Sequence, residues 1–268
     1  MTVKLLVAYD GTPFAGWQRQ SPESEDKRPT VQGTLEEALS KIFATPIHAQ
    51  SSGRTDAGAH AEGQVVHFHV PLDPSGEPIR DLPNMKLARS LNALTPPELA
   101  ILKVWIAPDD FHALRSAEKK TYRYVIHNSL TPNPLKVRYS YWFQKNLSVE
   151  KLNSLTECLI GEHDFKSFQT SGTELKTTVR QIYEAWWQRP DENTVLFRIT
   201  GNGFLKQMVR NIVGTSLYLH QNDLGPSYMA EILHKKDRSA AKDTAPAHGL
   251  FLESVYYPAS LDNKCREL

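Results

Sequence analysis

Hydrophobic and polar positions alternate along this chain in short, well-punctuated blocks. The apolar run Val3–Ala8 ends at Asp10-Gly11, which predicts a buried strand and a turn. Thr30 then suits the cap of a helix over Val31–Phe43, where Val31, Leu35, Ala38, Leu39 and Ile42 recur at helical spacing. Pro46–Gln50 and Gln64–Val70 read as strands, Asn84–Ala93 as a helix and Leu99–Ile106 as a strand. The order is β-α-β-β-α-β.

The same order is predicted a second time. Thr121–His127 alternates as a strand does, and Ser148 caps a helix carrying Val149, Leu152, Leu155 and Leu159 and stopped by Gly161. Val179–Trp187 and Thr194–Thr200 flank a turn at Pro190–Asn193. Gly203–His220 is a long amphipathic helix, Ser227–His234 an additional one, and Leu250–Tyr257 a closing strand. An α+β protein of two ferredoxin-like units with joined antiparallel sheets follows, residues 1–107 and 108–268, divided near Ala107-Pro108-Asp109-Asp110. A cleft between such units is a common place for a site. Ser21–Pro29 reads as an exposed charged loop, and the tail after Pro258 as peripheral.

With 268 residues, 40% hydrophobic and 23% charged, the composition fits a globular protein rather than a disordered one. The net charge of +1 advertises no global field for nucleic acid, so a polyanionic partner has to be held by local clusters. Two cysteines, Cys158 and Cys265, cannot build a disulfide framework or a four-thiolate zinc site. The acid at Asp10 interrupts any signal-peptide core, and no stretch approaches the ~20 apolar residues of a membrane span. A soluble cytoplasmic protein is the expectation.

Four segments could carry chemistry. Ser51–His60 brackets Arg54, Thr55 and Asp56 between glycines, setting a carboxylate beside a guanidinium; a tight turn stabilised by Asp56 is the structural alternative. His67 and His69 share one face of a strand with His60 upstream, but nothing nearby completes a metal shell. Phe111–Arg115 and Lys119–Tyr124 interleave basic and aromatic residues, which suits phosphate neutralisation with base stacking or, equally, a solvated strand edge. Within Gly203–Gly214, Lys206 and Arg210 sit four apart and share a helix face that seeks an anion.

Taken in order, Tyr9–Gln20, Gly53–His60, Asp110–Arg115, Met208–Gly214 and Gly249–Leu252 resemble the tRNA pseudouridine synthase A family, from about Lys4 to about Tyr257. Ala59 departs from the more usual valine. The resemblance implies two ferredoxin-like units, a homodimer holding tRNA, no metal and no cofactor. It implies isomerisation of uridine to pseudouridine at positions 38, 39 and 40 of the anticodon stem-loop, on a flipped-out base. Asp56 matches the catalytic aspartate, and among the substrate-site residues Arg210 resembles the family arginine expected to keep that carboxylate ionised, Tyr122 the tyrosine that stacks on the target base, and Arg54 a group holding the flipped nucleotide or its phosphate. Phe111, His112, Ala113, Leu114 and Arg115 resemble one tRNA-contacting segment. Gly172, Thr173, Glu174, Leu175 and Lys176 more loosely resemble another. A noncatalytic RNA-binding module and a zinc hydrolase using His60, His67 and His69 are the rival readings.

Overall fold

Val3, Leu5 and Val7 alternate along the first strand and are wholly excluded from solvent, as are Val31, Leu35, Leu39 and Leu91 on the helices that follow. Each such side chain contributes about 1.5–3 kcal/mol by leaving water, which makes this face the core of the N-terminal part. The computed structural model describes all residues except 22, 24, 81, 83–85 and 173–175. Its chain packs as two compact units, Met1–Glu118 with Leu252–Leu268, and Lys119–Phe251.

The first unit contains β1 (Thr2–Tyr9), α1 (Val31–Phe43), β2 (Gln50–Ser51), β3 (His60–His69), α2 (Leu87–Leu94) and β4 (Leu99–Ala107). β1 lies between β3 and β4, antiparallel to both, and β2 pairs with β3. The strand order β4-β1-β3-β2 with two crossing helices is the ferredoxin-like arrangement the periodicity predicts. α1 has its predicted bounds because the Thr30 hydroxyl accepts from the Gly33 amide at 3.2 Å. The expected strand Pro46–Gln50 shrinks to Gln50–Ser51. Its upstream part is drawn off by Glu36, a buried carboxylate that accepts from the Ala49 amide at 3.0 Å and from Gln32 at 3.1 Å. Of the expected helix Asn84–Ala93, Leu87–Leu94 is helical, and residue 84 lies outside the described residues.

The second unit contains β5 (Lys119–Asn128), β6 (Tyr141–Phe143), α3 (Val149–Thr156), β7 (Gly161–Asp164), β8 (Val179–Asp191), β9 (Thr194–Gly201), α4 (Met208–Gln221) and α5 (Pro226–Lys235). The antiparallel order is β5-β9-β8-β7, with β6 parallel to β5. β6 and β7 were not expected, being too short to show alternation. α3 tightens to a 3₁₀ turn at Glu157–Leu159 before Gly161, whose φ of +113° favours glycine. α4 starts at Met208 rather than Gly203, because Gln207 is left-handed and the Lys206 carbonyl accepts from the Thr170 amide.

From Leu252 within β10 (Leu250–Tyr256) the chain belongs to the first unit again, and there it forms α6 (Ala259–Asp262) and β11 (Arg266–Glu267). The tail expected to be peripheral is therefore structural. β11 pairs with β4 through Ile106 and Trp105, and the Leu268 amide donates to the Val104 carbonyl at 3.0 Å. The Lys4 ammonium donates to Asp262 at 2.6 Å and lies within 5.2 Å of the Trp105, Phe111 and Tyr257 ring centres. The change of unit follows Glu118, later than the expected 107/108, because Phe111 and Ala113 are buried with Val65, Ala107 and Tyr257 of the first unit.

Candidate active site

The loop between β2 and β3 is held by polar groups buried beneath it. Ser52 donates to Gln64 at 2.6 Å, Gln64 donates to the Gly53 carbonyl at 2.9 Å, and the Tyr9 and Thr55 hydroxyls meet at 2.8 Å. Burial pushes the Tyr9 hydroxyl up to about 12, so it stays protonated in this network. The Thr55 carbonyl accepts from the Trp17 amide, and the Asp56 carbonyl from the Ala59 amide, both at 3.1 Å. On the exit side, His60 Nδ1 accepts from the Gly11 amide at 3.0 Å and lies 3.2 Å from Asp10.

Two glycines let the segment after β1 close over this loop. A Cβ on Gly11 would sit 1.9 Å from the Ala59 carbonyl oxygen, and one on Gly16 would sit 2.9 Å from that of Thr55. This contact explains why the strings Tyr9–Gln20 and Gly53–His60 occur together. Between these clamps Asp56 is half-buried and Arg54 exposed. A carboxylate on so constrained a backbone can act on a bound molecule without its loop first being ordered, and an exposed guanidinium beside it can pair with an anion.

In the second unit, Tyr122 and Tyr124 share one face of β5, as alternation predicts, and both are buried. The Tyr122 ring meets Phe204 edge-on, with centroids 5.0 Å apart. A Cβ on Gly201 would lie 2.7 Å from Ile182 Cδ1, 2.9 Å from the Gln181 carbonyl oxygen and 3.3 Å from the Phe204 ring, so the glycine leaves room beside this aromatic pair. On α4, Arg210 donates from Nε to the Ala245 carbonyl at 2.8 Å while its own carbonyl accepts from the Ala245 amide. Its charge is felt by Tyr124 and by His248, whose pKa is lowered first by burial and then by this guanidinium.

Asn211, fully buried next to Arg210, ties this region together. It donates to the Phe168 carbonyl at 2.8 Å and to Thr170 at 3.2 Å, and accepts from Thr244 at 2.6 Å and Arg238 at 3.1 Å. Lys206 does not share a helix face with Arg210. It precedes α4 and donates to the Ser171 carbonyl at 3.2 Å, close to Gly172. Of the second segment expected to contact RNA, Gly172 and Lys176 are described, and Thr173, Glu174 and Leu175 lie outside the described residues.

In Phe111–Arg115, Phe111 and Ala113 are core residues, whereas Leu114 and Arg115 are exposed and His112 is half-buried. His60, His67 and His69 do not converge. His60 turns to Gly11, His69 Nδ1 lies 3.0 Å from the Thr2 hydroxyl, and His67 Nδ1 accepts from the Ala113 amide at 3.2 Å. Among the described residues, no group of three or more His, Cys, Asp or Glu is arranged to hold a metal ion. Nor is any helix among them long and apolar enough to cross a membrane. The sequence reading gave no supporting role to Tyr9, Ser52 and Asn211, which lie within the quoted strings, or to Gln64. The one visible signal was an amide, Gln64, leading an apolar strand.

A family model described as tRNA pseudouridine synthase matches residues 156–258. The chain is 49% identical over 268 residues to "tRNA pseudouridine synthase A" of Bdellovibrio bacteriovorus, covering 99% of this chain and 98% of that protein. It is 42% identical over 259 residues to the protein of the same name in Bacillus subtilis, covering 96% and 99% respectively. For that of Lactococcus lactis the identity is 39% over 260 residues, with 97% and 98% covered. At this similarity over the whole length, the chain belongs to the tRNA pseudouridine synthase A family.

Proposed function

We propose that the protein isomerises uridine to pseudouridine at positions 38, 39 and 40 in the anticodon stem-loop of tRNA, with Asp56 as its catalytic carboxylate. The observation that carries this reading is the half-buried Asp56, set in a loop anchored through Tyr9, Ser52, Thr55 and Gln64. The reaction breaks the N1–C1′ bond, turns the uracil and joins C5 to C1′; the C5 proton leaves and N1 gains one. The product is an isomer, so no net oxidant or co-substrate enters. A positioned carboxylate either attacks a carbon of the nucleotide or takes a sugar proton, and both roles need it close to the flipped nucleotide.

Arg54 and Tyr122 are assigned to the bound nucleotide, Arg54 through charge and Tyr122 through its ring, and Arg210 to keeping Asp56 ionised. His112, Leu114 and Arg115 present the exposed part of one RNA-contacting segment, and Gly172 with Lys176 the described part of the other. With a net charge of +1, such local cations have to supply the phosphate contacts. The working form in this proposal is a cytoplasmic homodimer on tRNA. Asp56→Ala should abolish pseudouridine formation while changing tRNA affinity by less than about tenfold, ~1.4 kcal/mol, because a carboxylate performs the chemistry and repels phosphate. Mapping pseudouridine in a tRNA transcript incubated with each protein measures this. Turnover retained in the variant would remove Asp56 from the reaction.

A further inference from the structure

In the second unit, residues 241–246 run back along α4 as a strap that belongs to no helix or strand. Several of its backbone groups are taken up by side chains and by α4 instead. The Lys242 amide donates to the Thr215 hydroxyl and the Ala245 amide to the Arg210 carbonyl, both at 3.1 Å. The Ala241 carbonyl accepts from Arg238 at 3.3 Å, and the Ala245 carbonyl from Arg210 Nε at 2.8 Å. The Pro246 carbonyl accepts from the Tyr124 hydroxyl at 2.7 Å, and the Asp243 carbonyl lies against Gly214.

Two hydroxyls anchor the strap on either side of Ala245 in the chain. Thr244 donates to Asn211 Oδ1 at 2.6 Å, and Arg238 braces the pair, donating to Asn211 Oδ1 and to Thr244 Oγ1 at 3.1 Å each. Tyr124 is wholly buried, and burial raises its hydroxyl well above the ordinary 10, so it stays a donor to Pro246. Gly249 makes room for that ring, since a Cβ there would lie 2.7 Å from Tyr124 Cζ. Between the two anchors Ala245 meets Arg210 twice, through its amide and its carbonyl. A guanidinium is rigid and planar, so fixing its Nε–H fixes the plane of its terminal nitrogens as well.

We infer that Tyr124 and Thr244 are positioning residues: by holding the strap on both sides of Ala245, they present the Arg210 guanidinium in one orientation. The inference rests on the reading of Arg210 as the cation that keeps Asp56 ionised, and it needs neither hydroxyl to touch the nucleotide. An arginine that is ordered only on pairing loses rotamer freedom as it pairs, whereas one already held loses little. The two tyrosines of β5 then have separate tasks, Tyr122 towards the base and Tyr124 towards the arginine. Thr244 acts through the same carbonyl, by way of the buried Asn211 amide that follows Arg210 on α4.

The test follows the Arg210 Nε–H itself, as its rate of exchange with water in NMR spectra of the whole protein carrying isotope-labelled arginine. Its signal is assigned by its loss in Arg210→Lys. Tyr124→Phe and Thr244→Val each remove one hydroxyl and should speed this exchange by about five- to tenfold, the factor that a buried hydrogen bond is worth. Thr244→Ser keeps the hydroxyl and should exchange as the wild type does. Single-turnover pseudouridine formation with saturating enzyme should slow by a similar factor in Tyr124→Phe and Thr244→Val, while the dissociation constant for a tRNA transcript stays the same. In an Arg210→Lys background the same two substitutions should cost less than about twofold, because the group they position is gone. Unchanged exchange in both variants, or losses that remain fully additive with Arg210→Lys, would overturn the inference. Melting temperatures establish that the variants are folded, and should Tyr124→Phe not fold, the Thr244 series decides alone. A wild-type protein that forms no pseudouridine, yet has a protected Nε–H that both variants release, would fault the proposed function and leave the role of the strap standing.

Discussion

Tyr122 combines an aromatic face, braced edge-on by Phe204, with a hydroxyl that chemistry could use. Stacking on a base is worth ~1–3 kcal/mol, so Tyr122→Leu should cost that much in productive binding of the flipped uridine. If the hydroxyl moves a proton, Tyr122→Phe should bind tRNA normally and lose about 10²–10⁴ in the chemical step. Single-turnover rates with saturating enzyme separate the two, and an unimpaired Phe variant would leave Tyr122 as a platform only. Residues of this kind are legible in a sequence because they sit in short, unusual strings. Asp56 stands out between Gly53 and Gly58 in the same way. Their supports stand out less: Tyr9, Ser52 and Gln64 act only once three segments have met, and of the three only Gln64, an amide leading an apolar strand, breaks its local pattern.

Among the elements, those whose signals are local have their predicted form. α1 keeps both bounds because its cap lies one residue before its apolar stripe. Where a tertiary contact competes with a local pattern, the pattern loses, as at Pro46–Gln50, where Glu36 claims the Ala49 amide, and at Gly203–Gln207, where the chain turns to meet Thr170. α4 offers a direct test of that competition at Gly214, where a Cβ would lie 1.8 Å from the Asp243 carbonyl oxygen. Gly→Ala improves helix propensity by about 1 kcal/mol, yet overpacking against backbone costs about 1–3 kcal/mol. Gly214→Ala should therefore lower the melting temperature. It should also slow pseudouridine formation, because the displaced 243–245 segment is the one that holds Arg210 through Ala245. A variant more stable than wild type would mean that the segment yields freely.

For the molecule as a whole, His67 links folding to acidity. Its pKa lies near 4 when folded against an ordinary 6.5, chiefly through burial. Between these values the unfolded chain binds a proton that the folded one refuses, so stability declines as pH falls from about 6.5 towards 4. Melting temperatures should follow that decline, and His67→Asn should flatten it; an identical acid profile in the variant would place the loss elsewhere.

The first unit is also built from both ends of the chain, with β11 on the edge of β4 and Asp262 on the ammonium of Lys4. Its strands β1 to β4 precede the second unit in the chain but are not completed until Leu252–Leu268 has been made. The second unit, Lys119–Phe251, is uninterrupted in sequence. During synthesis it can therefore fold ahead of the unit that precedes it, reversing the usual vectorial order. Until Asp262 and β11 have emerged, the nascent chain carries an open β4 edge and a lysine that has not yet met its carboxylate.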